Sequence, residues 1–322
     1  MVGLQYSACL NSYFTASKHS LPSALKLWLP FTPTASSVPF SLSQVEKPST
    51  GSPRLRYSST AVAEDFSKEE QRPKKQLRSP DLVALEYREL NLPRRTSEDL
   101  GHVRIRQHVN PLSSSFSMPV EAPEWNCVFK DPTLPLMVDI GSGSGRFLLW
   151  LAKNKSGFGN YLGLEIRQKL VKRAESWVKE LELDNVHFLF ANASVSFNNL
   201  ISSYPGPLAT VSILCPDPHF KKRHHKRRVV QKPLVNCIVD NLTPGGKVFM
   251  QSDVLEVALD MRNMFDEKLD VLQDVSMVDP NMSCDDDGWL MENPMGIRTE
   301  REIHAVYEGT KIYRRVYLKL VN

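Results

Sequence analysis

The sequence predicts an α/β fold in which a mainly parallel sheet is covered by helices on both faces. From Leu134 onward, short apolar runs alternate with segments of helical periodicity, which is the pattern of strands joined by helical crossovers. A glycine-rich turn at residues 139–145 directly follows the first apolar run. Hydrophobic residues make up 41% of the 322-residue chain and charged residues 24%, so the chain is able to build the core that such a fold requires.

The predicted strands are short runs of apolar residues bounded by polar or turn-forming residues. Five of them lie at residues 136–140, 161–165, 186–190, 210–214 and 247–251. Near the carboxyl terminus, residues 303–321 predict two more strands around a turn formed by Glu308, Gly309 and Thr310.

Helices are predicted between the strands from apolar residues at helical spacing. The clearest example is the segment 168–181, whose apolar face is formed by Leu170, Val171, Ala174, Trp177, Val178 and Leu181. Residues 146–153 are predicted to form the first part of another helix. Two more helices are predicted at residues 229–242 and 255–269. Pro244, Gly245 and Gly246 end the helix at 229–242.

The first 60 residues differ in composition from the rest of the chain. They contain thirteen serines and a single acidic residue, Glu46. A serine-rich, acid-poor segment is typical of an organelle transit peptide, and an ordinary disordered tail is the alternative. The serine, threonine and proline content favours the plastid stroma, whereas Arg56 and the three residues after it resemble a mitochondrial processing site, which leaves the mitochondrial matrix open.

Two further segments precede the regular pattern. Residues 61–100 are predicted to be a charged linker, interrupted by three prolines, with one short helix near residues 81–90. Residues 101–322 are predicted to form a single folded domain. It begins with a basic stretch at 103–112, which is interpreted as an arm over the functional site or as an edge strand.

Charge and cysteine content limit the class of protein. The formal net charge of +4 only weakly indicates a nucleic-acid partner, so local clustering of charge matters more. Five widely spaced cysteines without a CxxC pair predict neither a disulfide framework nor a zinc site. No apolar run reaches the roughly 18 residues that span a bilayer, so no membrane partner is expected.

The glycine-rich turn reads DIGSGSG and predicts a ligand-binding loop. Gly141, Gly143 and Gly145 permit a tight turn and let a ligand lie against bare backbone, while the next helix presents free N–H groups. Their spacing differs from the dinucleotide fingerprint. An acidic residue at the strand end, here Asp139, followed by this spacing is the form found in S-adenosylmethionine enzymes.

Two side chains after the second and third strands support a nucleoside ligand. Glu165 closes the second strand about 20 residues after the glycines, where a carboxylate accepts both ribose hydroxyls of an adenosine. Asn192 follows the third strand and is placed to meet the adenine. A generic α/β turn with a surface acid is the alternative.

The fourth strand ends in CPDPHF and continues into KKRHHKRR. Ligands of open α/β sheets bind outside the carboxyl ends of the strands, so the two prolines should hold Asp217 beside the cofactor. Six cations in the eight residues 221–228 are the composition of a phosphate-contacting surface, although a solvated face is the simpler alternative. The nearby histidines lack partners at metal-ligand spacing, so no metal is predicted.

Together these residues resemble the TrmB-type tRNA (guanine-N7)-methyltransferase family. The most specific segment is PDPHFKKRHHKRR at residues 216–228, which is similar to the family's FPDPW.K..H.KRR. The segments DIGSGSG, GLEIR at 163–167, QSD at 251–253 and RTERE at 298–302 match in the same order. Glu300 stands where the family usually has lysine.

The resemblance implies a Rossmann-like class I S-adenosylmethionine-dependent methyltransferase with a seven-stranded, mainly parallel sheet. It implies transfer of a methyl group from S-adenosylmethionine to N7 of a guanine in tRNA, usually position 46 of the variable loop. Some family members work alone and others need a partner subunit, so an accessory subunit is left open.

Site residues follow from the same matches. The residues expected to bind the cofactor are Asp139, Gly141, Gly143, Gly145, Glu165, Ile166, Arg167, Asn192, Ala193 and Asp217. Those expected to bind tRNA are Lys221, Lys222, Arg223, His224, Lys226, Arg227, Arg228, Asp253, Thr299, Glu300, Arg301 and Glu302. Asp217 is the expected catalytic residue, which orients the guanine together with Asp253 while Glu302 assists.

Three alternative functions remain at this stage. The segment at 216–220 is loosely similar to the (D/N)-P-P-(Y/F) motif of exocyclic-amine methyltransferases, but it lacks the Pro-Pro pair. A non-catalytic RNA-binding protein would be expected to lose the glycines or the strand-end acids, and both are present. A nicotinamide dehydrogenase would have no use for the basic run.

Overall fold

The computed structural model describes residues 77–92, 109–155, 157 and 159–321. The predicted transit peptide, most of the predicted linker and the start of the predicted arm lie outside the described residues. Among the residues that the structure describes, none of the helices combines the length and apolarity needed to span a bilayer.

One sheet runs through the described domain. Its strands are Leu136–Ile140 (β1), Asn160–Glu165 (β2), Val186–Phe190 (β3), Leu208–Leu214 (β4), Leu242–Ser252 (β5), Leu272–Asp274 (β6) and Tyr313–Lys319 (β7). The spatial order is β3-β2-β1-β4-β5-β7-β6. Strands β1 to β5 pair in parallel, and β7 is antiparallel to both β5 and β6. The predicted seven-stranded, mainly parallel sheet is confirmed.

The α-helices of the described residues are α1 (Ser79–Glu86), α2 (Trp125–Val128), α3 (Arg146–Asn154), α4 (Gln168–Glu180), α5 (Ala193–Ser202), α6 (Lys232–Asn241), α7 (Leu255–Asp266) and α8 (Glu300–Tyr307). Helix α4 buries Leu170, Val171, Ala174 and Trp177, which belong to the predicted apolar face. The helix predicted from residue 229 begins at Lys232, with Pro233 in its first turn, where proline is favoured.

The carboxyl-terminal prediction was wrong in its first half. Residues 303–307 belong to helix α8, and only β7 is a strand. The reason is a capping box, in which the Thr299 hydroxyl accepts from the Glu302 N–H and the Glu302 carboxylate accepts from the Thr299 N–H. This reciprocal cap satisfies two free N–H groups and favours a helix start. Helix α5 and the short strand β6 were not predicted.

Helices cover both faces of the sheet, as the alternating pattern predicted. One hydrophobic cluster joins the sheet to α5, α6 and α7, and a second joins it to α3, α4 and α8. In β1, Leu136, Val138 and Ile140 belong to the first cluster and Met137 to the second, because successive strand residues face opposite sides.

Helix α1 lies inside the segment predicted to be a linker, yet its residues are part of the core. Val83, Tyr87 and Leu90 are buried in the second cluster. The Glu86 carboxylate accepts from the backbone N–H and the guanidinium of Arg298, and the Tyr87 hydroxyl donates to the Arg298 carbonyl. The described residues 77–92 are therefore folded onto the domain next to the start of α8.

Candidate active site

Two adjoining cavities open at the carboxyl ends of the central strands. The first cavity, about 110 Å³, lies between the ends of β1, β2 and β3 and the loop after β4. The second cavity, about 360 Å³, lies between the glycine-rich turn and the start of α8. Gly141, Arg167 and Cys215 line both cavities, so together they form one site at the position expected for ligands of a doubly wound sheet.

The glycine-rich turn has the backbone that its sequence predicts. Gly141, Gly143 and Gly145 have φ angles of +85°, +57° and +84°, a region that residues with a Cβ rarely adopt. A Cβ on Gly145 would lie 2.8 Å from both Ala174 and Phe188, so this glycine lets α3 pack closely on its neighbours. Apart from its two chain neighbours, no described residue has an atom within 4 Å of a Cβ built on Gly141, so among the described residues that backbone is open to a ligand.

Glu165 lies at the end of β2 and is 2% exposed. Its carboxylate accepts from the backbone N–H groups of Gly143 and Arg167, each at 2.9 Å. The Arg167 guanidinium donates to both carboxylate oxygens, from Nε at 2.8 Å and from Nη2 at 3.1 Å. These bonds hold a buried charge in place at the wall of the first cavity, where ribose hydroxyls were expected to bind.

Asp139 is buried beneath the glycine-rich turn and lines the second cavity. Burial raises the pKa of its carboxyl group to about 7, while a hydrogen bond from Ser212 lowers it and the nearby Glu165 raises it. The Ser212 hydroxyl donates to Asp139 at 2.6 Å. A carboxyl group that titrates near neutrality beneath a ligand responds to the charge of that ligand.

Asn192 connects the first cavity to the amino-terminal segment. Its side-chain oxygen caps helix α5 by accepting from Ser194 N–H at 3.2 Å. Its amide nitrogen donates to the carbonyls of Pro111 and Phe116, at 3.1 and 3.2 Å. Residues 111–116 therefore lie over the end of β3, and Val109 and Pro111 line the first cavity. The described end of the predicted arm is a wall of the site.

The loop that carries Asp217 has an unusual backbone on both sides of that residue. Cys215 and His219 have φ angles of +52° and +44°, which are uncommon for residues other than glycine. Such backbone persists where the surroundings enforce it, often at functional sites. Cys215 N–H donates to the Gln251 carbonyl at 2.8 Å, and Asp217 lines the first cavity.

The Cys215 thiol does not provide a nucleophile. Burial, followed by the nearby charges of Asp253 and Glu302, raises its pKa to about 12. The thiol therefore stays protonated near neutral pH, and the thiolate is the nucleophilic form. A route through a covalent cysteine adduct is disfavoured.

Most of the basic run forms an exposed turn. A 3-10 helix spans Lys222–Arg227, and Lys221, Lys222, Arg223 and Lys226 are exposed. His224 and Arg227 are half-buried beside them, and Arg227 lines the first cavity. We call residues 221–227 the cationic turn; through Arg227 it adjoins the first cavity.

Arg228 corrects the prediction that the whole run contacts phosphate. It is 5% exposed, and its guanidinium pairs with Asp260 and, at 3.0 Å, with Glu256, both on α7. Its Nε donates to the Pro218 carbonyl at 2.8 Å. Since these internal partners occupy the side chain, Arg228 anchors the cationic turn and the Asp217 loop to α7.

Glu302 also departs from its predicted role as a group that assists the guanine. It is 1% exposed and accepts from Arg314 at 2.6 Å, Asn293 at 2.8 Å and Gln251 at 3.2 Å. Its carboxylate is therefore occupied by bonds that fix the start of α8. These contacts support a structural role for Glu302, which differs from the role expected from the resemblance.

The other residues of the predicted substrate segment surround the second cavity. Thr299, Glu300 and Arg301 line it. Arg301 Nε donates to the Asp253 carboxylate at 2.9 Å. Glu300 contacts Ser144 of the glycine-rich turn and pairs with Arg146. An acidic residue at 300 thus has a cationic partner on α3.

Several site residues carried no signal that sequence reasoning used. Tyr87 lines the second cavity, and the Ser212 hydroxyl donates to Asp139, because the fold brings residues distant in sequence together. Gln251 was noted only as part of the matched segment QSD, and its bond to Glu302 was not expected. Arg146 begins the helix after the glycine-rich turn, and its pairing with Glu300 depends on the position of α8. Among the described residues, no cluster of histidine, cysteine and acidic side chains is arranged to hold a metal ion.

The sheet, the open glycine-rich turn and the buried strand-end carboxylates fit a nucleoside cofactor with a cationic centre. The fold and this site define the chain as a class I S-adenosylmethionine-dependent methyltransferase. Residues 133–315 match the family model described as "Putative methyltransferase", which covers more than half of the chain.

Relatives define the family more closely. The tRNA (guanine-N(7)-)-methyltransferase of a Synechococcus species is 49% identical over 215 residues, covering 67% of this chain and 84% of the relative. The protein of the same name from a Synechocystis species is 44% identical over 215 residues, covering 67% of this chain and 97% of the relative. The chain belongs to the tRNA (guanine-N(7)-)-methyltransferase family.

Proposed function

We propose that this chain transfers the methyl group of S-adenosylmethionine to N7 of a guanine in tRNA, at position 46 of the variable loop. The observation that carries the proposal is the position of Asp217, which shares the first cavity with Glu165 and Arg227. One short loop thereby connects the cofactor site with the cationic turn, a surface suited to RNA phosphates. Relatives at 49% and 44% identity bear the name of this reaction.

The chemistry requires alignment rather than proton transfer. Guanine N7 has an exposed lone pair and carries no proton, so no general base is needed. When bound, S-adenosylmethionine supplies the electrophilic methyl group on its sulfonium. The protein's contribution is then to hold the purine in line with that group and to place carboxylates near a ring that becomes positively charged.

Asp217 and Asp253 are the carboxylates that we assign to the guanine. Each would accept hydrogen bonds from the N1–H or the exocyclic amine of the base, which fixes the orientation of N7. The bond from Arg301 holds the Asp253 carboxylate, which is 10% exposed. The guanine leaves its stack to reach them, as enzymes that modify bases generally require.

The test is methylation of unmodified tRNA transcripts by the full chain, with the methyl group located by nucleoside mass spectrometry. We expect N7-methylguanosine, absent from a transcript in which G46 is replaced by adenine and strongly reduced with the variant Asp217→Ala. A methyl group on an exocyclic amine would assign the chain to the alternative class. Absence of transfer despite measured cofactor binding would contradict activity of the chain alone and indicate an accessory subunit.

We also propose that residues 1–60 direct the protein to the plastid stroma. The support is their composition, thirteen serines against one acidic residue, which is typical of transit peptides. Fusion of residues 1–60 to a fluorescent protein in plant cells should give plastid fluorescence. Fluorescence in mitochondria would replace the proposal by the matrix, and diffuse fluorescence would reject both.

A further inference from the structure

A third cavity, about 350 Å³, lies beside the first one, and neither Glu165 nor Asp217 is among its lining residues. Its walls are residues 111–117, the first turn of α5, the end of the cationic turn and the first turn of α6. Pro111, Asn192, Ser194 and Arg227 line both this cavity and the first. An occupant of the third cavity would therefore lie next to the cofactor.

The charge of the third cavity favours an anion. Lys226, Arg227 and Arg228 line it, and none of the described residues that line it is acidic. Arg228 is neutralised by Glu256 and Asp260, which leaves Lys226 and Arg227 as the cations of the wall. The Nε of Arg227 is buried and has no hydrogen-bond partner among the described residues, so it is a donor in need of an acceptor.

The remaining walls are apolar or carry small polar groups. Leu112 is 56% exposed and Val195 is 37% exposed, although both line the cavity. Phe116, Ser113 and Ser117 complete this side. A phosphate ion alone would leave the apolar wall uncovered, and a cavity of this size is in the range of small-molecule sites, roughly 300–1,000 Å³. Cations on one side and an apolar wall on the other suit a nucleotide.

We propose that the third cavity binds a nucleotide of the RNA substrate that flanks the target guanine. The proposal rests on the proposed function and extends it. The phosphate of this nucleotide would contact Lys226 and Arg227, and its base would pack against Leu112, Phe116 and Val195. Bases that are splayed out of an RNA loop are commonly held by such apolar contacts together with backbone cations.

The first test fills the cavity from one wall. Val195→Trp places a large side chain at a partly exposed position of α5 that lines the third cavity and neither of the others. Ser202→Trp at the far end of the same helix is the matched control. We expect the Kd for tRNA, measured by filter binding, to rise about tenfold in the first variant only, the size of one lost base contact. The Kd for S-adenosylmethionine should be unchanged in both.

The second test leaves the helix untouched. Leu112→Asp introduces a negative charge at the cavity wall, and Met118→Asp, at a position that is 77% exposed and outside all three cavities, is its control. Weaker tRNA binding by Leu112→Asp alone supports the proposal. It is overturned if both cavity variants bind tRNA as tightly as their controls, or if they lose S-adenosylmethionine affinity instead. Since RNA binding is measured directly, a wild-type chain that binds tRNA but forms no N7-methylguanosine refutes the proposed reaction and not the subsite.

Discussion

At the scale of single residues, Asp139 links the stability of the domain to pH. Burial raises the pKa of its carboxyl group to about 7 in the folded chain, against about 4 for an exposed aspartate. The folded state thus holds a proton that the unfolded state releases. The contribution of this group to the free energy of unfolding is therefore fully present below about pH 4 and is lost as pH rises through about 7.

We accordingly predict that Asp139→Asn reduces the fall in stability between pH 4 and pH 7. The amide replaces the protonated carboxyl in shape and does not titrate. Urea unfolding of the wild type and of Asp139→Asn at pH 4, 5.5 and 7 gives the free energy of unfolding of each protein at each pH. Free energies of unfolding that change in parallel for the two proteins would show that Asp139 does not titrate in this range.

Asp217 is the residue that we propose orients the guanine for the chemical step. We predict that Asp217→Asn lowers kcat about 100-fold, the order of effect seen when one group that stabilises a transition state is removed, and changes the Kd for tRNA less than twofold. In the wild type, kcat at saturating cofactor and tRNA should be flat from pH 6 to 9, because no proton is transferred. A kcat that follows a single titration in this range in both the wild type and Asp139→Asn would contradict a step without proton transfer.

At the scale of elements, the cationic turn depends on its attachment to α7. Arg228 is buried, but Glu256 and Asp260 are about half exposed, so solvent screens the pair and its contribution is smaller than that of a fully buried one. Arg228 also donates to the backbone carbonyl of Pro218, which fixes the loop that carries Asp217. We therefore expect Arg228 to affect RNA binding indirectly, through the position of the cationic turn.

We predict that Arg228→Ala lowers the free energy of unfolding by about 2 kcal/mol, the scale of lost hydrogen bonds to charged groups, and also weakens tRNA binding. Lys222→Ala is the comparison, since Lys222 is exposed. It should leave Tm unchanged while reducing the slope of log Kd against log salt by about 0.7–0.9, the effect of one lost phosphate contact. If Arg228→Ala instead reduced the salt dependence of Kd at unchanged Tm, and Lys222→Ala lowered Tm, then Arg228 would contact RNA and Lys222 would support the fold.

Three elements that the sequence analysis did not predict were missed for different physical reasons. The α5 segment ASVSFNNLIS contains residues with modest helix propensity, and its helix is stabilised by the Asn192 cap and by burial of Phe197 and Leu200. The α8 segment has β-branched and aromatic residues that suggested a strand, but the capping box of Thr299 and Glu302 was visible in the sequence and favours the helix. Strand β6 is only three residues long.

At the scale of the whole molecule, the central strands and the cofactor side of the site could be predicted because their residues are close in sequence to a recognisable turn or strand end. Gly141, Glu165, Asn192 and Asp217 each lie at the end of a strand or within three residues after it. The functions of Arg228, Glu302 and Tyr87 could not be predicted in this way, because each forms a bond with a residue on a separate helix, strand or loop: Asp260, Arg314 and Arg298, respectively.

The boundary of the folded domain depends on the same kind of distant contact. Helix α1 and the residues after it bury Val83, Tyr87 and Leu90, and burying each such side chain stabilises a protein by about 1.5–3 kcal/mol. Tyr87 and Glu86 also hold the backbone of Arg298, next to Thr299 in the second cavity. Residues 77–92 should therefore support both the stability of the domain and the geometry of α8.

We predict that a chain starting at residue 93 has a Tm at least about 10 °C below that of a chain starting at residue 77, since each kcal/mol shifts Tm by about 2–4 °C at this size. The chain starting at residue 93 should also methylate tRNA more slowly than the chain starting at residue 77. The point variant Glu86→Ala separates the two effects: it leaves the buried apolar side chains in place and frees Arg298, so it should lower kcat/KM for tRNA with a smaller change in Tm. Equal Tm values for the two truncated chains would show that the core is complete without α1 and that the segment acts as the linker its composition suggested.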